Sequence, residues 1–169
     1  MSAIAFVYSL SGLIAHQGET YDLVPEKASW PEGAWTKEPD AVVFEHRGFW
    51  CAVARHPVQG SLVGYVRVPK GHPWYGATDR QLYDAGVCVD VHGGLSYTAF
   101  GEDGDTDGWY LGFDCAHYLD FSPNPRCHFG EISNGVYRDV GYVYEQCLSL
   151  ARQAEAAEPL PRMLDATAN

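Results

Sequence analysis

From about residue 41, apolar and polar positions alternate in short runs; after residue 137 the apolar positions recur every three to four residues. The first pattern marks strands with one face turned to a core, the second an amphipathic helix. Residues 42–46 and 49–54 are two apolar runs joined by Arg47-Gly48, a hairpin signal. Gly60 opens a third run, 62–68, in which Leu62, Gly64, Val66 and Val68 share one face, and Pro69 ends it. Residues 70–84 are rich in turn formers and read as an ordered loop. Further strands are predicted over 87–92, 95–100 and 109–115. Gly93-Gly94 breaks the first pair of runs, and the acidic turn 101–108 (GEDGDTDG) separates the second. Its acids do not fall in the register of an EF-hand loop, so it reads as a solvated hairpin connection.

The helix is predicted over 137–157. Val140, Val143, Tyr144, Cys147, Leu150, Ala151 and Ala154 form one stripe, with Asp139 in the first turn. Pro159 and Pro161 stop it. The expected fold is α+β, a mostly antiparallel sheet packed against one long C-terminal helix. Residues 1–40 read as an irregular extension anchored by Trp30 and Trp35, residues 41–157 as a single domain, and residues 158–169 as a mobile tail. Residues 3–15 carry no charge. They are too few to span a bilayer, and no positive residue precedes them as in a signal peptide, so residues 3–9 are expected to form a strand or a docked arm.

The 169 residues carry a formal net charge of −11, with 46% apolar residues. That composition supports a real core and excludes wholesale disorder. The charge argues against coating a nucleic-acid backbone or an anionic membrane surface. Five cysteines without a CxxC pair argue against a disulfide framework and for a reducing cytoplasm. Cys51, Cys88 and Cys115 read as small core residues.

The candidate chemistry lies on two strands. In 87–92, Val87, Val89 and Val91 face the core, while Cys88, Asp90 and His92 face away, with Asp90 and His92 about 7 Å apart along the strand. In 109–115, Trp109, Leu111, Phe113 and Cys115 form the apolar face, and Asp114 stands opposite; His117 and Asp120 follow. If the strands are neighbours, Asp90, His92, Asp114 and His117 converge. Two imidazoles and two carboxylates suit a divalent metal, or an acid–base pair with an orienting carboxylate. The alternative is a set of structural hydrogen bonds that pin loops. Gly93 and Gly94 beside this pair leave bare backbone that a ligand can approach. His72, Trp74 and Tyr75 form an aromatic loop able to stack a flat base or to cap the core, and Arg67 can reach a phosphate. Cys115 beside His117 is a remote candidate thiolate nucleophile.

The runs Gly64-Tyr65-Val66-Arg67-Val68-Pro69, Gly71-His72-Pro73-Trp74-Tyr75-Gly76, Asp90-Val91-His92-Gly93-Gly94-Leu95-Ser96-Tyr97 and Gly112-Phe113-Asp114-Cys115-Ala116-His117, with Tyr137-Arg138-Asp139 at the helix start, resemble a family of small uncharacterised phage and prophage proteins over residues 41–153. The resemblance implies an accessory, counter-defence role in the host cytoplasm. On that basis the first expectation is capture of a small nucleotide-type immune signal by Arg67, His72, Trp74, Tyr75, Asp90, His92, Gly93, Gly94, Asp114 and His117. The second is a metal-dependent hydrolase using Asp90, His92, Asp114 and His117. The third is an acidic protein-binding inhibitor of a host enzyme. Homo-oligomerisation is compatible with all three.

Overall fold

The computed structural model describes residues 20–101, 104–127 and 135–160. The strand or arm expected at 3–9, two residues of the acidic turn (102 and 103) and most of the tail lie outside them. Six strands form one antiparallel sheet: β1 (Thr20–Tyr21), β2 (Ala41–His46), β3 (Phe49–Arg55), β4 (Leu62–Pro69), β5 (Tyr97–Phe100) and β6 (Gly108–Asp114). Their order is β1-β2-β3-β4-β6-β5. Arg47 and Gly48 both take positive φ (55° and 79°), the backbone of a tight two-residue hairpin whose twist matches its strands.

The long helix, α2 (Val140–Glu155), packs on β3 and β4. It starts three residues later than the apolar spacing predicts, because Asp139 is its N-cap: extended backbone, with the carboxylate accepting from Tyr142 N at 2.7 Å. Val143, Cys147, Leu150, Ala151 and Ala154 of the predicted stripe are buried. They meet Cys51, Val53, Leu62, Val66, Leu111 and Phe113 on the first face of the sheet. Gly64 makes this approach close: a Cβ there would lie 2.3 Å from Phe113 Cζ and 2.7 Å from Cys147 Sγ. The architecture is therefore α+β. Among the described residues no helix is long and apolar enough to cross a membrane.

Three readings change. Residues 79–84 are not loop but a short helix, α1 (Asp79–Asp84), started by a capping box between Thr78 and Gln81. Residues 20–40 are tied into the sheet: β1 pairs with β2, and Trp30 and Trp35 are buried. Asp40 accepts from the Leu23 and Val24 amides and pairs with buried Arg55 Nε at 2.8 Å. Arg55 also donates to Gly60 O, to the Tyr137 hydroxyl and to Glu38, whose other oxygen accepts from Val140 N at the start of α2. Finally, residues 87–92 are extended but join no strand. The alternation holds, with Val91 buried, Val87 and Val89 packed on the core, and Cys88 and Asp90 exposed. Glutamines of α2 take the place of a neighbouring strand. Gln153 accepts from Asp90 N and donates to Asp90 O, both at 2.8 Å, and Gln146 accepts from His92 N at 2.9 Å.

Candidate metal centre

The carboxylate at the middle of the polar cluster is Asp120, held by a turn in which its amide donates to His117 O at 2.9 Å. A parallel bridge to Val136 fixes that turn beside the start of α2. Asp120 is almost wholly buried, so its oxygens need partners. Oδ2 accepts from His92 Nε2 at 2.7 Å and from the His117 amide at 3.0 Å; Oδ1 accepts from Arg138 Nε at 3.0 Å. Burial alone would push the Asp120 carboxyl up, but the hydrogen bonds from His92, Arg138 and the His117 amide outweigh it, and its pKa lies below the ordinary carboxylate value.

His92 is fixed at both nitrogens. Since the Asp120 carboxylate only accepts, Nε2 carries the proton, and Nδ1, 3.0 Å from the Tyr142 hydroxyl, accepts from it. Tyr142 stands one turn into α2, with the Arg138 guanidinium 4.9 Å from its ring centroid. His117 completes the group: Nδ1 lies 3.4 Å from Asp120 Oδ2 and 4.0 Å from Asp114 Oδ1, and its ring centroid is 5.2 Å from that of His92. One donor atom from each of His92, His117 and Asp120 lies within 4.8 Å of the others.

Gly93 seats the His117 ring. Its φ is +69°, and a Cβ there would lie 2.0 Å from His117 Cε1. The bare backbone expected to admit a ligand thus admits a side chain of the same protein. Gly94, φ +85°, closes the turn onto Val91 O and faces open space.

Of the four residues expected to converge, His92 and His117 do so. Asp114 stands at the rim, with Oδ1 accepting from Ala116 N at 3.0 Å. Asp90 does not join: its side chain is exposed, and Gln153 holds its main chain. The nucleotide-stacking residues are engaged elsewhere. Arg67 lies on the second face of the sheet in a bidentate pair with Asp105 (2.7 and 3.0 Å). His72 accepts from Trp74 N through Nδ1 and so donates through Nε2 to Ala154 O at 2.9 Å, pinning the end of α2. Trp74 is buried in the core; the Tyr75 hydroxyl donates to Thr106 O, and its ring meets Phe100. Cys115 is no nucleophile: burial pushes its thiol up to about 12. A cavity of about 610 Å³ lies elsewhere, against Leu23, Trp30, Val58 and Pro125, and none of the residues singled out in the sequence lines it.

The sequence pattern points at His92 and His117 but passes over Arg138 and Tyr142. Their only signal is position, flanking the Asp139 cap where a helix start meets a strand end. Compared with family models, curated proteins and solved structures, the chain has no significant match.

Proposed function

We propose that the protein is a metal-dependent hydrolase whose centre is His92, His117 and Asp120. The observation that carries the reading is the convergence of two imidazoles and one carboxylate from separate stretches of chain, with outer partners already in place. A tetrahedral zinc site with bonds of about 2.0–2.1 Å sets its donor atoms roughly 3.4 Å apart. His117 Nδ1 and Asp120 Oδ2 have that separation, and the 2.7 Å contact of His92 with Asp120 opens by a few tenths of an ångström once its proton leaves. The Tyr142 hydroxyl serves both states of His92, donating to Nδ1 now and accepting from Nδ1–H when Nε2 is a ligand. Arg138 occupies only Oδ1, which leaves Oδ2 turned to the imidazoles.

The donor set, two nitrogens and one oxygen, suits zinc first and manganese or iron(II) next. A zinc held by three protein ligands lowers the pKa of a bound water to near 7, which supplies hydroxide for ester or phosphoester cleavage. His117, with 40% of its side chain exposed, leaves that side of the centre open, and Asp114 lies at its rim. Nucleotide capture is less well supported, because Arg67, His72 and Trp74 are committed within the fold.

Chelator-treated protein titrated with zinc by calorimetry is expected to take up one equivalent and to gain activity on bis-p-nitrophenyl phosphate or p-nitrophenyl acetate. His117→Ala is expected to lower the affinity at least a hundredfold. Absence of zinc uptake by the folded protein defeats the reading. Uptake without turnover of either ester leaves a metal centre and removes the hydrolase.

A further inference from the structure

The second face of the sheet, opposite α2, carries an apolar layer made of Ala41, Val43, Trp50, Ala52, Ala54, Val63, Tyr65 and Tyr110, flanked by Tyr21 and Tyr97. Every member is a strand residue. α1 and α2 contribute their buried side chains to the first face. Side chains on one face of a sheet point the same way, so a sheet cannot cover its own outer surface. Yet Val43, Ala52 and Ala54 are fully buried in the single chain, and Trp50 is more than nine-tenths buried. Chain outside the described elements must lie over this face.

We infer that the cover is the charge-free stretch 3–15 of the same chain. Ile4, Phe6, Val7, Tyr8, Leu10, Leu13 and Ile14 give it the apolar surface that such a face requires. It also enters the fold at the right place. Thr20 and Tyr21 pair with Val42 and Ala41 at the edge of the sheet, and the Tyr21 ring already belongs to the layer. Only residues 16–19, with Gly18 among them, separate the stretch from that edge.

The reach is sufficient. From β1 to β6 are four strand spacings, about 19 Å. Thirteen residues span about 20 Å as a helix and about 45 Å when extended. The surface offers a seat, since Ala41, Ala52 and Ala54 are small and the rings of Trp50, Tyr65 and Tyr110 stand beside them. The Trp50 indole Nε1 is buried without an acceptor. A main-chain carbonyl, or the hydroxyl of Ser9 or Ser11, is the kind of group that would satisfy it. A second copy of the chain is disfavoured because the layer is already buried without one.

The test uses the full chain with Phe6 replaced by the photo-crosslinker p-benzoylphenylalanine. Irradiation at low concentration, followed by peptide mapping, is expected to give crosslinks within one chain to peptides of β2, β3 and β4. Crosslinks that join two chains, crosslinks confined to α2, or none at all would overturn the inference. A chain starting at residue 16 gives a second readout. If it stays folded, it is expected to bind 8-anilinonaphthalene-1-sulfonate with several-fold brighter fluorescence, and unchanged fluorescence would equally overturn it.

Discussion

Tyr142→Phe removes one oxygen and leaves the ring on which Arg138 rests. The lost hydroxyl lies 3.0 Å from His92 Nδ1 and is the partner described for that nitrogen. In the metal-free protein the cost is one hydrogen bond to a mostly buried imidazole, about 0.5–1.5 kcal/mol. In the metal-bound protein the same oxygen orients the His92 ring and accepts from Nδ1–H, a role whose loss lowers metal affinity about 10–100-fold. That range corresponds to about 1.4–2.7 kcal/mol. The variant is thus expected to stay folded, losing a few degrees in Tm, while its zinc affinity in competition with a chromophoric chelator falls by at least an order of magnitude. If affinity stays within twofold of the parent while stability drops as expected, the tyrosine serves the fold alone, and the argument that His92 is a prepared ligand fails.

Gly93→Ala puts a methyl group where the His117 ring sits and forces a non-glycine residue to φ +69°. The left-handed backbone alone costs roughly 1–2 kcal/mol. Zinc affinity is expected to fall as far as in His117→Ala, and a variant with parental affinity would show that the ring position is not required. Arg55→Met strips the buried Asp40 carboxylate of its principal partner and is expected to cost about 3–5 kcal/mol by denaturant unfolding, without altering zinc uptake by the folded fraction. A loss under 1 kcal/mol would contradict the network. Burial holds His72 below the ordinary histidine pKa, so the native state resists its protonation while the unfolded chain accepts it. Its contribution is therefore complete above the unfolded value of about 6.5 and declines as pH falls below it. His72→Gln is expected to flatten the slope of Tm between pH 7 and 5.5, and an unchanged slope would rule out this titration.

Much of the fold was legible because its information is local. The alternation Leu62, Gly64, Val66, Val68 and the spacing Val143, Cys147, Leu150, Ala154 each report one buried face, and those faces pack together in the structure. The run 87–92 reads as a strand for the same reason: an extended backbone with one buried face has the same pattern whether its amides meet a strand or a glutamine. Only the positions of Gln146 and Gln153, two turns apart on α2, tell the two cases apart. The site was half legible. His92 and His117 stand out as polar residues beside glycine and strand ends, but the carboxylate between them is Asp120 rather than Asp90 or Asp114. That choice depends on where a turn places three donors around one buried oxygen pair, which no spacing in the chain displays.

The same geometry bears on whether the cluster is more than a pin. His92, Asp120 and Arg138 already tie the 91–94 turn, the 117–120 turn and the start of α2 with bonds of 2.7–3.0 Å, and a buried carboxylate so engaged suffices to hold the three together. His117 adds nothing comparable through its side chain. Its Nδ1 stands at 3.4 and 4.0 Å from the two carboxylates, and the ring is two-fifths exposed. Yet the backbone at Gly93 adopts a conformation that favours glycine, with no room for a Cβ, to let that ring stand where it does. A structural pin gives no reason to seat a partly exposed imidazole there. A third donor facing Asp120 Oδ2 and His92 Nε2 does, and the function assigned to the protein rests on that difference.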